Sequence, residues 1–340
     1  MDKVVIYDVS AILYSGGLAS YSRNWCNSVG FPTGGLYKLL NYLFRDIKNK
    51  DNVIFALDSN PNNYLRKKVY PDYKANRNNK DSLDKERIDL QYQLLIDKLP
   101  KLGIAYIQKD GYEADDIIYS LVGAIKDKQI LIRADDSDLK DTMIINNLVS
   151  MESVTGKGIF TPKRKEIYNK ICYGDITDNY KGLSTAELNY FRKFASIYPD
   201  VSILGNRYDK ELLEICENNY EIANNINRNI FLATPKFINI DKIPKTNINE
   251  DEMKFFLNLL GCKSILKRIY KEERDYSSPR IKSELIRIST LISQDLRQKL
   301  MSTNKKITKS NNNEVKEVDI SSNTDSIWDT MDDINKVLGI

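Results

Sequence analysis

The stretch ILIRADDSD, residues 130–138, starts as an apolar run and ends on three carboxylates, Asp135, Asp136 and Asp138. A short continuous apolar run suits a strand buried on both faces, as in a parallel sheet. Two other stretches repeat the arrangement: VVIYD (4–8) finishes on Asp8, and VIFALD (53–58) on Asp58. Helical spacing separates them, in LYKLLNYLFRDI (36–47) and LQYQLLIDKL (90–99). Strands alternating with helices predict an α/β fold around a parallel sheet. Ligands of open parallel sheets bind beyond the carboxyl ends of the strands, so these acids are expected to meet at one cleft.

GYEADD, residues 111–116, adds Glu113, Asp115 and Asp116 ahead of a helix, since Ala114, Ile117, Ile118, Leu121, Val122 and Ile125 recur at helical spacing. Acids in a first turn also suit the positive end of the helix dipole, at about 0.3–1 kcal/mol each, and this alone accounts for GYEADD. A further cluster, YGDITDN (173–179), carries Asp175 and Asp178. Two unit charges about 4 Å apart at an effective dielectric near 20 interact by about 4 kcal/mol, so several ionised acids in one cleft require a positive partner. Oxygen-only ligands select Mg²⁺ or Mn²⁺ over zinc. Two such ions roughly 3.5–4 Å apart activate a water and stabilise the leaving oxygen of a phosphodiester.

The composition narrows the chemistry. Histidine is absent from all 340 residues, which excludes Ser-His-Asp and Cys-His nucleophiles, His-ligated zinc and imidazole acid–base catalysis. Cys26, Cys172, Cys216 and Cys262 form no CxxC pair, so neither a disulfide framework nor a zinc site is expected. No apolar run is long enough to span a bilayer and no signal-peptide pattern opens the chain, which reads as cytoplasmic with no membrane partner. The net charge of +4 is uneven: residues 311–340 hold seven acids against two lysines, leaving about +9 on the rest and suggesting a polyanionic partner. NYLRKKVYPDYKANR (63–77) interleaves Arg66, Lys67, Lys68, Lys74 and Arg77 with Tyr64, Tyr70 and Tyr73. Cations serve phosphates and tyrosine rings stack on bases, although a solvated loop with partly buried tyrosines fits the same composition equally well.

Along the chain, residues 184–301 read as mainly helical, for example EMKFFLNLLGCKSILKRIY (252–270), and residues 302–326 as a flexible linker rich in Ser, Thr, Asn and Lys. In residues 327–340, Trp328, Met331, Ile334, Val337 and Leu338 stand at helical spacing. Such an amphipathic tail suits docking onto a protein partner, with packing on its own domain as the alternative.

YPDYKANR (70–77) and GYEADD resemble motifs of the 5′-to-3′ exonucleases and flap endonucleases, the family of the 5′-nuclease domain of bacterial DNA polymerase I and of phage 5′ nucleases. Around them, in the expected order, lie YDVS (7–10), PTGGLYKLLNYL (32–43), FALDSN (55–60), ADDSDL (134–139) and YGDITDNYKG (173–182). The ordered set is more specific than any one motif and overrides the dipole reading of GYEADD. The resemblance covers residues 1–183 and implies a PIN-like 5′-nuclease core, with a helical arch over about 64–98 and a helical C-terminal region over 184–301.

The same resemblance implies two Mg²⁺ ions, replaceable by Mn²⁺. Asp8, Asp58, Glu113 and Asp115 match the first metal cluster; Asp116, Asp136, Asp138, Asp175 and Asp178 match the second, with Asp115 shared between them. Lys74 and Arg77 resemble residues contacting the scissile phosphate, so with Asp115 and Asp138 they are the expected catalytic residues. Tyr73 is expected to stack on a nucleobase, and Arg66, Lys67 and Lys68 to bind backbone. Thr33, Gly34 and Gly35 open a helix whose amides are expected to hold a duplex phosphate. The implied partner is DNA with 5′ single-stranded ends or flaps, or an RNA–DNA hybrid.

The sequence departs from the family after Asn179. A glycine hairpin that binds duplex phosphates, often with K⁺, is replaced by YKGLSTAELNYFRKFASIY (180–198), where Ser184 and Glu187 offer a capping box. Asp135 and Ser137 also stand where polymerase-linked members have glycine and lysine. The expected activity is Mg²⁺-dependent 5′-to-3′ exonuclease and flap endonuclease action in replication or recombination. Two alternatives are a PIN-like ribonuclease and a nuclease-like subunit recruited to a replication or transcription machine.

Overall fold

The computed structural model describes residues 3–76, 82–160, 166–199 and 209–299. Arg77, the 302–326 linker and the 327–340 tail lie outside the described residues. Two compact units interleave along the chain: one draws on residues 3–11, 46–76 and 105–246, the other on residues 12–45, 82–104 and 247–299.

The first unit is built on a five-stranded sheet of β1 (Val4–Asp8), β2 (Asn52–Leu57), β3 (Ala105–Gln108), β4 (Ile130–Arg133) and β5 (Val149–Glu152). Its order is β3-β2-β1-β4-β5 and every pairing is parallel. Numbering from α1 (Val9–Gly17) and α2 (Gly34–Lys48), the helices continue with α3 (Leu65–Val69), α4 (Ser82–Leu102), α5 (Ala114–Ala124), α6 (Thr142–Ile145), α7 (Glu166–Tyr173) and α8 (Thr185–Ile197). From β1 the chain builds outward through β2 and β3, then returns to place β4 on the other side of β1. The β1/β4 junction is therefore the topological switch point, where the carboxyl ends of neighbouring strands open a crevice.

The central strands β1, β2 and β4 are buried on both faces, which explains their apolar sequences, whereas the edge strands β3 and β5 alternate with half-buried or exposed residues. Val4 and Ile6 share a core with Ile54, Ile132 and the predicted α5 stripe of Ala114, Ile117, Ile118, Leu121, Val122 and Ile125. The alternate residue Tyr7 stacks on Phe55, with ring centroids 5.3 Å apart. On that face one charged group is buried deliberately: the Arg133 guanidinium grips Asp46 through two 2.8 Å bonds, and the Tyr7 hydroxyl donates to the same carboxylate at 2.5 Å.

The sequence boundary at residue 183 does not mark the edge of the first unit. Phe191 and Phe194 of α8, Leu212 and Cys216 beyond it, and Ala223, Ile226 and Ile230 of the helix Tyr220–Ala233 belong to the same apolar core as the sheet. Their apolar residues pack into the sheet's core, so these helices close that core. The capping box read at Ser184 is present: Glu187 accepts from the Ser184 amide at 2.6 Å and its own amide donates back to Ser184 Oγ at 3.3 Å.

The second unit contains α4 with the helices Glu250–Leu260, Lys263–Ile269 and Pro279–Ser289. Helix α3 and most of α4, which runs on to Leu102, fall in the 64–98 stretch expected to form an arch, one in each unit. Among the described residues no helix is long and apolar enough to cross a membrane.

Asp46→Ala leaves Arg133 buried without its bidentate partner, which is expected to cost about 3–5 kcal/mol. A shift in the urea midpoint checks this; an unchanged midpoint would show that Glu152, which also contacts Arg133 at 2.5 Å, neutralises it alone.

Candidate active site

Each strand end delivers its acid through a local hydrogen bond. Asp8 terminates β1, and its Oδ1 accepts from the Ala11 amide at 3.0 Å, which starts α1. Asp58 follows β2 and accepts from Ser10 Oγ at 2.5 Å and from the Ala114 amide at 2.9 Å, tying β1, β2 and α5 together. Beyond β4, Asp136 Oδ1 caps the Asp138 amide at 3.0 Å. Asp175 lies on a tight antiparallel hairpin, and its Oδ1 accepts from the Thr177 and Asp178 amides. Gly174, at φ +76°, and Gly182 allow that hairpin: a Cβ on Gly182 would lie 2.5 Å from the Tyr173 carbonyl carbon.

Glu113, Asp115, Asp136, Asp138 and Asp178 line one pocket of the first unit together with Lys74 and Lys170. Crowding shows in the charge states. Burial and then the neighbouring Asp58 push the Asp8 carboxyl up to about 7. Burial, Asp136 and Asp8 push Asp115 well above the usual carboxylate range. Burial and Asp136 raise Asp138 to about 7, against the pull of Lys170. Glu113 goes the other way: burial alone would raise it, but the Lys74 and Arg66 charges overcome burial and hold it at about 2.

Several residues expected to meet nucleic acid are engaged inside the protein. All five Arg66 donors are used: two reach Asp116, a third hydrogen bond from Nη1 reaches Glu113 at 2.6 Å, and the Leu232 and Thr234 carbonyls accept at 3.0 Å. At 6% exposure it is an internal clamp and not a backbone-binding cation. Tyr73 is 2% exposed, with its hydroxyl 3.0 Å from both Glu113 and Asp178, so its ring offers no face to a base. In the second unit Thr33 is buried, and the Gly35 and Leu36 amides already donate to Gln91 Oε1 at 2.8 and 3.1 Å. The Thr33 amide donates to the Trp25 carbonyl at 2.9 Å, so at this helix start the Thr33 and Gly35 amides are spent inside the unit rather than on phosphate. Lys68 is exposed and Lys67 half-buried.

The acids divide similarly. Asp116 is fully buried, with Arg66, the Glu113 amide and the Lys236 amide occupying both its oxygens. The expectation that it ligates a cation gives way to a role as capping residue and anchor for Arg66. Glu113 has Lys74 on Oε1 and Arg66 and Tyr73 on Oε2. Asp115, Asp136, Asp138 and Asp178 remain as acids lining the pocket, with Asp8 and Asp58 beside them at the strand ends and Asp175 joined to Asp138 through Lys170. Among the described residues no three acids, cysteines or histidines converge closely enough to share one ion as they stand. Ammonium groups lie between them instead: Lys74 contacts Glu113 and approaches Asp178 to 3.8 Å, and Lys170 joins Asp138 to Asp175.

Lys170, Tyr119 and Lys236 escaped the sequence reading. Tyr119 donates to the Asp138 carbonyl at 2.8 Å, fixing the turn that carries the acid. Lys236 is pushed down to about 7 by burial and then by Arg66, behind the clamp. The position of Lys170 five residues ahead of Asp175 is visible in sequence, but its contact with Asp138 depends on α7 packing against the turn after β4.

Two outcomes test this site. Arg66→Met strands Asp116 and Glu113 without their cation and is expected to destabilise the chain by about 3–5 kcal/mol, as read by denaturant unfolding; loss of DNA affinity at unchanged stability would restore a backbone-binding role. The second concerns pH. Asp8 and Asp138 near 7 and Asp141 near 6 lie above the value of about 4 of an unfolded aspartate, so between those limits the folded chain binds more protons and stability falls as pH rises. EDTA-treated protein is expected to melt higher at about pH 5 than at about pH 8. A melting temperature that climbs across that range would contradict the crowding.

A family model described as 5'-3' exonuclease, N-terminal resolvase-like domain, matches residues 3–171. The 5'-3' exonuclease of Buchnera aphidicola subsp. Acyrthosiphon pisum is 30% identical over 224 residues, covering 59% of this chain and 74% of that protein. That of Aquifex aeolicus is 26% identical over 300 residues, 82% of this chain and 98% of its own length. The DNA polymerase I of Caldicellulosiruptor bescii is 28% identical over 290 residues, 78% of this chain but only 33% of the polymerase. The model match spans the whole parallel sheet and its strand-end acids, and the Buchnera protein is matched over most of its length: the chain belongs to the 5′-3′ exonuclease family.

Proposed function

We propose that the chain hydrolyses phosphodiester bonds at 5′ ends and flaps of DNA with the help of divalent cations, Mg²⁺ or Mn²⁺. The observation that carries this is the oxygen-only cleft at the β1/β4 switch point, in a protein of this family. Seven carboxylates remain there after the structural roles of Asp116 and Glu113 are set aside, and histidine is absent from the chain. Asp138 Oδ1 is buried without a hydrogen-bond partner, as an oxygen awaiting a ligand would be. Hard divalent cations fit that donor chemistry.

Asp136, expected in the second set, raises the carboxyls of both Asp8 and Asp115 and is therefore assigned with them: Asp8, Asp58, Asp115 and Asp136 would hold one ion, and Asp138, Asp175 and Asp178 a second. Bound there, the ions supply Lewis acidity and charge neutralisation for attack of water on phosphorus. The residues of the chain do the rest. Lys74 sits at φ +58° with its amide bonded to the Asp178 carbonyl at 2.9 Å, which holds its ammonium at the edge of the acids, suited to a phosphate oxygen. Glu113 and Tyr73 orient that ammonium from the inner side. Lys67 and Lys68 supply positive charge for the DNA backbone, giving steep salt dependence, and Arg77, outside the described residues, is proposed from its sequence position to add to it. The setting would be bacterial or phage replication or recombination in the cytoplasm, with RNA–DNA hybrid as a further substrate and residues 327–340 as a tether to a protein partner.

Cleavage of an end-labelled 5′-flap duplex is expected with Mg²⁺, to disappear with EDTA, and to be abolished by Asp115→Asn and by Asp138→Asn with DNA binding largely intact. Unimpaired turnover in both variants would remove these residues from catalysis. Faster cleavage of an RNA flap than of its DNA counterpart would favour the ribonuclease alternative.

A further inference from the structure

Lys170 occupies a place where the chemistry of the cleft calls for a metal. Its ammonium stands 2.5 Å from Asp138 Oδ2 and 2.6 Å from Asp175 Oδ2, so a single cation of the chain itself joins two carboxylates from distant segments. Asp138 comes from the turn after β4, and Asp175 from the hairpin that follows α7. Helix α7 is anchored by buried Ile167, Ile171 and Cys172, which fixes the backbone at Lys170 beside the acids while its flexible stem leaves the ammonium able to move. Only 22% of its side chain is exposed. The neutralisation is incomplete: one ammonium meets two carboxylates, and Asp138 Oδ1 is left buried without a hydrogen bond.

We propose that Lys170 is a built-in counter-ion of the Asp138–Asp175 pair, and that a divalent ion enters there only by displacing it. The inference rests on the metal dependence proposed above. An ammonium and a divalent cation cannot share the same carboxylate oxygens, since like charges at such short range repel strongly. Lys170 thereby protects the metal-free fold from repulsion between Asp138 and Asp175, and weakens the second ion relative to the first. At Asp8 and Asp115 the nearby cation is Lys74, whose ammonium contacts Glu113, so the direct two-carboxylate bridge described for Lys170 belongs to the second set.

Mn²⁺ titration followed by electron paramagnetic resonance, on the full chain without DNA, reads the two sites apart from activity. Wild type is expected to bind one ion more tightly than the second. Lys170→Met removes the charge while keeping length, and is expected to tighten the second ion about tenfold or more with the first unchanged. The melting temperature supplies a second readout. The Met variant should melt below wild type in EDTA, and saturating Mn²⁺ should close most of that gap, whereas a merely structural lysine would lower both states equally. Lys170→Arg, which keeps the charge, should retain the weak second site; Lys170→Gln replaces the Met variant if that chain does not fold. Unchanged affinity for the second ion in the uncharged variant overturns the role of Lys170 alone. Absence of any Mn²⁺ binding by wild type overturns the metal reading beneath it.

Discussion

Repulsion between carboxylates gathered at the ends of parallel strands is the constraint that organises this molecule. The sheet places Asp8, Asp58, Asp136 and Asp138 at one edge because parallel strands all terminate on the same side, and the order β3-β2-β1-β4-β5 brings two of those ends beside a crevice. Burial there raises the electrostatic penalty of each ionised acid, so positive charge has to be arranged around them. Arg66, Lys74 and Lys170 answer that need at three separate points.

The three cations are not equivalent. Arg66 is planar, fully hydrogen-bonded and buried, so it fixes the start of α5 to the end of the helix Tyr220–Ala233 and takes Asp116 out of the cleft. Lysines carry a compact charge on a flexible stem and can exchange partners without dismantling a bidentate pair. That distinction separates a permanent support from groups able to yield to substrate or metal. It also explains why GYEADD contains acids of two kinds: Asp116 closes a helix cap and an ion pair, whereas Asp115 retains the elevated carboxyl of an acid facing other acids.

Membership in the 5′-3′ exonuclease family agrees with an acidic cleft at the switch point, while the departure after Asn179 changes how the neighbouring segment is stabilised. Gly182 and the Ser184–Glu187 box build the turn into α8, and the helices beyond it complete the sheet's core instead of standing apart. The acidic hairpin at Asp175 is thus supported from the core side, by α7 and the Tyr220–Ala233 helix, whose Asn229 amide group donates to the Ile171 and Lys181 carbonyls at 3.0 Å.

Much was legible in the linear chain. Apolar runs ending in acids revealed the parallel strands, helical spacing revealed α5, and the Ser184–Glu187 spacing revealed a cap, because each is a local consequence of backbone period and hydrogen bonding. The type of chemistry was legible too, from abundant carboxylates and no histidine. What the sequence left undecided was which charged residues face a ligand and which face each other. Arg66 and Lys74 lie eight residues apart in one basic, tyrosine-rich stretch, yet Arg66 is spent on buried Asp116 while Lys74 sits among the cleft acids. Lys170 gave no local sign of its place between Asp138 and Asp175. Ion pairing depends on distances across the fold, and only the packing of helices on the sheet sets those distances.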